Sequence, residues 1–303
     1  MSKFKEHLLM FLRGLIMGIA DIIPGVSGGT MALITGIYER LIEAINGVNR
    51  FFVSHLLKLK FGKAFKNFKK IDFALFIPLF LGIAIALLGL SHAIDYFLVE
   101  LTAITYAFFF GLILGSAWLV LNGIKKHRKI GFLFAIIGFA FAFWLVSLEA
   151  LGANHSLLVL FVSGAVAICA TILPGISGSF VMVLLNQYET VIASLKNLQI
   201  TNILALILGA LVGALAFSKL LNFLLRKYKA ETMFFLVGLM LGSLRLPIEK
   251  VAAVTYFNTI SQPISLAKIF SIMLSNFVII LPILIVALIG FLIVFFLEKK
   301  FKH

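Results

Sequence analysis

Acidic residues are scarce: 12 Asp and Glu stand against 26 Lys and Arg in 303 residues, and charged side chains make up only 13% of the chain. Soluble globular domains carry about twice that share, so a water-exposed surface of ordinary extent cannot be built from this composition. The single cysteine, Cys169, lies in an apolar stretch, which excludes a disulfide framework and a Cys-based metal cluster. The six histidines (His7, His55, His92, His127, His155 and His303) all sit at segment ends or in connectors, so no imidazole base lies within an apolar run. What remains is 62% hydrophobic with a mean hydropathy of +1.14. The surplus of +14 does not indicate nucleic acid, because the basic residues occupy short connectors with no soluble domain to present them; membrane topology accounts for them better. No small-residue cleavage site precedes the first Pro-Gly turn, so a removable signal peptide is not expected.

Within this apolar background one turn occurs twice. Pro24-Gly25-Val26-Ser27-Gly28-Gly29 returns as Pro174-Gly175-Ile176-Ser177-Gly178-Ser179, 150 positions later. The gapless match runs from 13–45 to 163–195 and includes Gly14/Gly164, Ala20/Ala170, Tyr38/Tyr188, Glu39/Glu189 and Ile42/Ile192. A second pair, TYAFFFGLILGS (105–116) and TMFFLVGLMLGS (232–243), lies at a spacing of 127, shared by Gly82/Gly209 and Ser91/Ser218. The smaller spacing is absorbed by a long basic connector after the first motif.

A membrane crossing needs about 20 apolar residues. Stretches 73–95, 102–122, 130–150, 202–225, 231–248 and 270–297 qualify, whereas 8–23 and 28–45, like 157–173 and 179–195, are short arms joined by a Pro-Gly break. Each pair of arms reads as a re-entrant hairpin, two full spans or one broken span. Charge rejects the broken span: it would place the connector with Arg50, Lys58, Lys60, Lys63, Lys66, Lys69 and Lys70 on the side opposite the basic N-terminus. With both ends of 8–45 cytoplasmic, the clusters at 125–129, 226–229 and 299–302 also fall inside. The expectation is an all-α polytopic membrane protein forming a single domain over 1–303. Repeat one covers about 8–150 and repeat two about 157–297, each a re-entrant helical hairpin plus three transmembrane helices. Three spans is an odd number, so the halves run in opposite directions, with both termini cytoplasmic. Internally repeated, broken helices of this kind are the mark of transporters.

Glycine and proline at the breaks let each half-helix end and another begin, and a helix N-terminus attracts phosphate or carboxylate. Pro24, Gly25, Ser27, Gly28, Gly29 and Thr30, with Pro174, Gly175, Ser177, Gly178 and Ser179, are therefore the expected substrate-binding set. Small residues merely permitting close helix packing is the plainer alternative. Asp21 lies three residues before Pro24, where Thr171 stands in the second copy. A deep carboxylate reads either as a proton carrier or as a cap on the turn's N–H groups. Glu39 and Glu189 lie twelve residues past their motif serines, about 18 Å along a continuous helix. With Tyr38 and Tyr188 they form an interfacial belt or, alternatively, a symmetric gate in which Glu39 and Arg40 meet a substrate headgroup. Arg245 either meets an anion or snorkels to the interface. The literal GxSG of Gly25-Val26-Ser27-Gly28 resembles a rhomboid-protease serine motif, but a nucleophilic serine needs a base in reach. No enzyme, cofactor or metal site is therefore expected.

The doubled PGVSGGT/PGISGS motif, its spacing and the hairpin-plus-spans repeat resemble the bacterial polyprenyl-phosphate transporters of the PopT type over residues 8–297. The resemblance implies a cytoplasmic-membrane protein that returns undecaprenyl phosphate from the outer to the inner leaflet, with the two turns as substrate region. The partner it implies is this membrane lipid, with a proton or sodium ion as possible coupling ion; the oligomeric state is left open. The second motif departs at Ser179-Phe180, where the first has Gly29-Thr30, so the halves need not contribute equally. Replacing both motif serines, Ser27→Ala with Ser177→Ala, is expected to lower transport at normal protein level; unchanged transport would remove the turns from the mechanism.

Overall fold

Among the described residues, which are 3–22, 27–48, 71–124, 129–148, 154–257 and 277–301, all regular structure in the computed structural model is helical. The first expected hairpin comprises α1 (Lys3–Ile22), α2 (Gly28–Ile34) and α3 (Tyr38–Val48). Three longer helices follow: α4 (Phe73–Val99), α5 (Thr102–Gly123) and α6 (Lys129–Val146). The second hairpin region is α7 (Leu157–Ile172), α8 (Gly178–Leu184) and α9 (Tyr188–Lys196). The chain closes with α10 (Ile200–Lys227), α11 (Lys229–Ser243), α12 (Arg245–Phe257) and α13 (Phe277–Phe301).

The second arm of each hairpin region is broken, where the sequence reading took it as one half-helix. Gly36 and Asn186 adopt left-handed backbone, with φ of 74° and 52°. The following amides bond back across the end of the short helix, Ile37 N–H to the Ala32 carbonyl at 3.0 Å and Gln187 N–H to the Met182 carbonyl at 2.9 Å. Helices end this way when a residue that tolerates the left-handed region follows the last turn, and Gly and Asn are the two that do so most readily. The 18 Å path from the motif serines to Glu39 and Glu189 along one helix is therefore corrected: each path changes direction after seven helical residues.

Four stretches are long and apolar enough to cross a membrane by length and composition: Thr102–Gly123, Ile200–Lys227, Lys229–Val254 and Leu281–Lys299. The span expected at 130–150 is helical only to Val146, and the one at 231–248 is two helices that meet at Leu244. The basic connectors at 49–70 and 125–128, and the start of the span expected at 270–297, lie outside the described residues.

The helices pair in a repeating way. α1 packs on α4 as α7 packs on α10, and α13 packs on α5 as α6 packs on α11. Glycines make these seams backbone-to-backbone. A Cβ at Gly14 would strike the Leu79 carbonyl and one at Gly82 the Phe11 carbonyl; Gly164 faces Leu206 and Gly209 faces Phe161 in the same way, at the spacings of 150 and 127 already seen in the sequence. Gly111 faces Ala287 and Gly290 faces Phe108, while Gly238 faces Ala135 and Gly138 faces Phe235. This last set relates α6 to α13 at a spacing of 152, a correspondence that hydropathy alone did not disclose. Small residues at seams suit a membrane medium, where helix association relies on close packing rather than on expulsion of water.

The most buried helices are α5 and α11, whose Ile113, Phe234, Leu236, Leu239 and Met240 are inaccessible. At the periphery, α13 turns Leu284, Leu288, Leu292 and Phe296 outward along one face, a continuous apolar stripe that fits contact with hydrocarbon. The glycine seams carry a direct test. Gly209→Leu is expected to lower the thermal unfolding temperature of the detergent-solubilised protein markedly, since overpacking costs about 1–3 kcal/mol. Gly89→Ala, in open space, is expected to be neutral or slightly stabilising. Wild-type stability in Gly209→Leu would disprove the backbone contact of α7 and α10.

Candidate functional site

The two motif turns touch. Ser27 precedes α2 with extended backbone, and its Oγ accepts the Gly29 N–H at 3.1 Å, the usual N-cap arrangement for a serine. The same hydroxyl donates to the Leu173 carbonyl of the second turn at 3.0 Å. In return, Gly175 N–H donates to Thr30 Oγ1 at 2.9 Å. Gly29 must be glycine for this approach, because a Cβ there would come within 2.7 Å of the Ile172 carbonyl oxygen. Gly175, with φ of 88°, lies against the backbone of Met240 on α11. Ser27, Thr30 and Ser177 are buried, as are Pro174, Gly175 and Gly178. Pro24 and Gly25 lie outside the described residues.

The turns differ in how they cap. Ser177 accepts the Phe180 N–H at 3.5 Å, and its hydroxyl shares a proton with that of Ser179 at 2.7 Å. On the first turn, Asp21 Oδ1 accepts the Gly28 N–H at 2.7 Å. Its counterpart Thr171 donates instead to the Ala167 carbonyl within α7 at 2.9 Å. Of the two roles foreseen for Asp21, the one with observed geometry is the cap. The Ser27 hydroxyl is bound to backbone groups, not to a base.

Past the far end of α2, between α3, α5 and the junction of α10 and α11, opens a cavity of about 880 Å³. Leu33 and Gly36 from the end of α2 form one wall with Tyr38 and Glu39; Leu119, Val120 and Ile124 of α5, and Met233 of α11, add an apolar surface. Its rim carries Arg226, Lys227 and Lys229 against Glu39 and Glu231. A second opening, between α6, the second turn and α12, encloses only about 10 Å³ against Gly175, Ile176, Ser177 and Phe180, at most the room of a single water.

A family model described as VCA0040-like, undecaprenyl phosphate translocase-like, matches residues 17–262. The chain belongs to this family. It is 41% identical over 244 residues to a polyprenyl-phosphate transporter of Vibrio cholerae serotype O1 (strain ATCC 39315 / El Tor Inaba N16961), covering 80% of this chain and 78% of that relative. To a polyprenyl-phosphate transporter of Staphylococcus aureus (strain NCTC 8325 / PS 47) it is 28% identical over 264 residues, covering 80% of this chain and 86% of the relative. No solved structure matches. The stretch shared with the translocase-like family contains both turns and every residue of the cavity, and stops short of α13.

In this family member the expected gating residues part company. Glu39, at the start of α3, pairs with Lys229 at 2.7 Å, and one turn on Glu43 pairs with Arg226 at 3.1 Å, tying α3 to the junction of α10 and α11. These side chains are 52–66% exposed, so each pair contributes only about 0–1 kcal/mol. Arg40 does not share the cavity with Glu39. Its guanidinium holds Asp72 through Nε and Nη2 at 3.0 and 3.3 Å and reaches Glu6 at 3.3 Å, fastening α3 to α1 and the start of α4. Tyr38 is 2% exposed, which corrects its reading as part of an interfacial belt, whereas Tyr188 is 42% exposed. Glu189 is exposed at the start of α9, a helix start at which His155 Nδ1 meets Gln187 Oε1 at 3.2 Å and the Thr190 hydroxyl at 2.9 Å. Glu39 and Glu189 therefore do not form like halves of a symmetric gate in this state. Arg245 is engaged by Glu249 at 2.6 Å, the Phe143 carbonyl at 3.2 Å and the Phe143 ring at 4.6 Å, which closes α12 onto α6.

Sequence reasoning missed the cavity and Lys229, which it had counted only as a topology charge. No signal along one chain could have paired Lys229 with Glu39, 190 positions away. Thr30→Val keeps the side-chain shape but leaves the buried Gly175 N–H without its acceptor. An unsatisfied buried donor costs about 1–3 kcal/mol, so a lowered unfolding temperature in detergent is expected. An unchanged value would mean that the turns are not held together at this point.

Proposed function

We propose that this protein carries undecaprenyl phosphate between the leaflets of the bacterial cytoplasmic membrane, recycling the carrier lipid for cell-envelope synthesis. The observation that carries the reading is the cavity past the end of α2, which combines a cationic rim with an apolar wall. A lipid phosphate has the same two parts, an anionic head and a hydrocarbon tail. The names of the Vibrio and Staphylococcus relatives agree with it.

In this reading each half is a re-entrant hairpin plus three spans, one from about 8–150 and the other from about 157–297, inserted in opposite directions. The positive-inside rule places the cavity rim on the cytoplasmic side, together with both termini. The cavity then opens inward. The crossing point is the pair of turns. When they separate, Ser27 and Thr30 lose the carbonyl and amide they hold here and have their hydroxyls free for the phosphate, so one set of hydrogen bonds replaces another. Alternating access by movement of one half against the other follows the pattern of inverted-repeat transporters. Coupling to a proton or sodium ion supplies the direction, with Asp21 as the carboxylate closest to the crossing point. The protein is a carrier rather than an enzyme, in keeping with a Ser27 hydroxyl bound only to backbone.

Proteoliposomes containing labelled undecaprenyl phosphate test this. The wild type is expected to move the lipid between leaflets faster under an imposed pH gradient, and Asp21→Asn to abolish that acceleration. Gradient dependence that survives Asp21→Asn discards Asp21 as proton carrier; movement of soluble anions but not of the lipid discards the lipid reading itself.

A further inference from the structure

One buried polar atom stands out. Tyr38 lines the cavity, is 2% exposed, and its hydroxyl has no hydrogen-bond partner among the described residues. Buried hydroxyls are normally satisfied, and an orphan calls for an explanation. In the same cavity, Lys229 is held by Glu39 and Arg226 by Glu43 through ion pairs that are largely exposed and therefore weak. Lys227 lies over the rings of Phe223 and Tyr228 at 5.6 and 5.4 Å, with no carboxylate partner among the described residues.

We propose that Lys229, supported by Arg226 and the Tyr38 hydroxyl, is the docking site for a phosphate-monoester head, and that Glu39 is an internal placeholder which the phosphate displaces. This deepens the lipid-phosphate reading above and rests on it. A phosphate monoester carries up to two charges and three strong acceptors against the single charge of Glu39, so it makes the stronger charge-assisted bonds to an ammonium. A Tyr hydroxyl can donate to a phosphate oxygen and so gain the partner it lacks. The dock is one-sided. At the spacing of 127, the counterparts of Arg226 and Lys229 are Val99 and Thr102, so no equivalent pair of cations exists in the other half. The head would accordingly be held by charge only in the conformation open toward this rim.

The exchange predicts opposite signs for the two members of the ion pair, which a purely structural salt bridge does not. Full-length protein in phosphatidylcholine nanodiscs is titrated with fluorescent undecaprenyl phosphate, and thermal unfolding is followed in parallel. Lys229→Gln is expected to weaken binding about tenfold, the loss of one charge-assisted hydrogen bond. Lys229→Arg is expected to retain most of the affinity, and Glu39→Gln to tighten binding by removing the competitor. Tyr38→Phe is expected to weaken binding several-fold without lowering the unfolding temperature, because the hydroxyl bonds to none of the described residues. Inorganic phosphate, added as competitor, is expected to displace the probe less effectively from Lys229→Gln than from wild type. Unchanged affinity in Lys229→Gln, equal losses in Lys229→Gln and Glu39→Gln, or indifference of inorganic phosphate to Lys229→Gln would each overturn the dock. Wild-type protein that binds no undecaprenyl phosphate overturns instead the lipid reading on which it rests.

Discussion

A polypeptide break inside an apolar medium leaves backbone N–H and C=O groups that water cannot satisfy, and each such group is costly. The two motif turns are such breaks, and each completes the other. Thr30 on the first accepts the Gly175 amide of the second, and Ser27 donates to the Leu173 carbonyl. The contact requires two motif copies 150 positions apart, a glycine at position 29 that admits the opposing backbone, and a left-handed residue at 175. Once the turns are joined, α2 lies against α5 and α7, and α8 lies against α7 and α1. The outer helices then close around them along glycine seams that are the same in both halves.

Departures from that sameness give the molecule its chemistry. Asp21 caps the first turn where the second has Thr171, which turns back on its own helix. α3 is joined to its neighbours by ion pairs, whereas the corresponding α9 region uses His155, Gln187 and Thr190. A cavity of about 880 Å³ lies where α3 and α5 of the first half meet α10 and α11 of the second, and a gap of about 10 Å³ lies where α6 meets the second turn and α12. The ion pairs at the larger opening are exposed, whereas Arg245 and Glu249 form a largely buried pair, and Arg245 also holds α12 against α6.

Much of the architecture was legible in the residues because its causes are local or periodic. Apolar runs revealed the long helices, and the Pro-Gly pairs revealed the breaks. The spacings of 150 and 127 identified which residues correspond, and the glycine contacts follow those spacings residue for residue. The broken second arms were equally readable, since Thr35-Gly36 and Leu185-Asn186 carry the Gly and Asn that end helices in left-handed geometry. They were passed over because the apolar run continues across them, and hydropathy reports medium rather than direction. The relation of α6 to α13 escaped for a similar reason: both are uniformly apolar, and only Gly138 and Gly290 mark their register.

By itself, then, the sequence determined the class of protein, the duplicated turn, and the list of polar residues available to a site. These depend on composition, on period and on the stereochemistry of single residues, all of which act over a few positions. Tertiary structure alone decided what those residues do. It gave Arg40 to Asp72 and Glu6, Glu39 to Lys229, and Arg245 to Glu249 and Phe143, and it left the Tyr38 hydroxyl without a partner among the described residues. Charges and hydroxyls reach whatever the packing of distant helices places within about 3 Å, and that distance is a property of the folded molecule rather than of the order of residues along it.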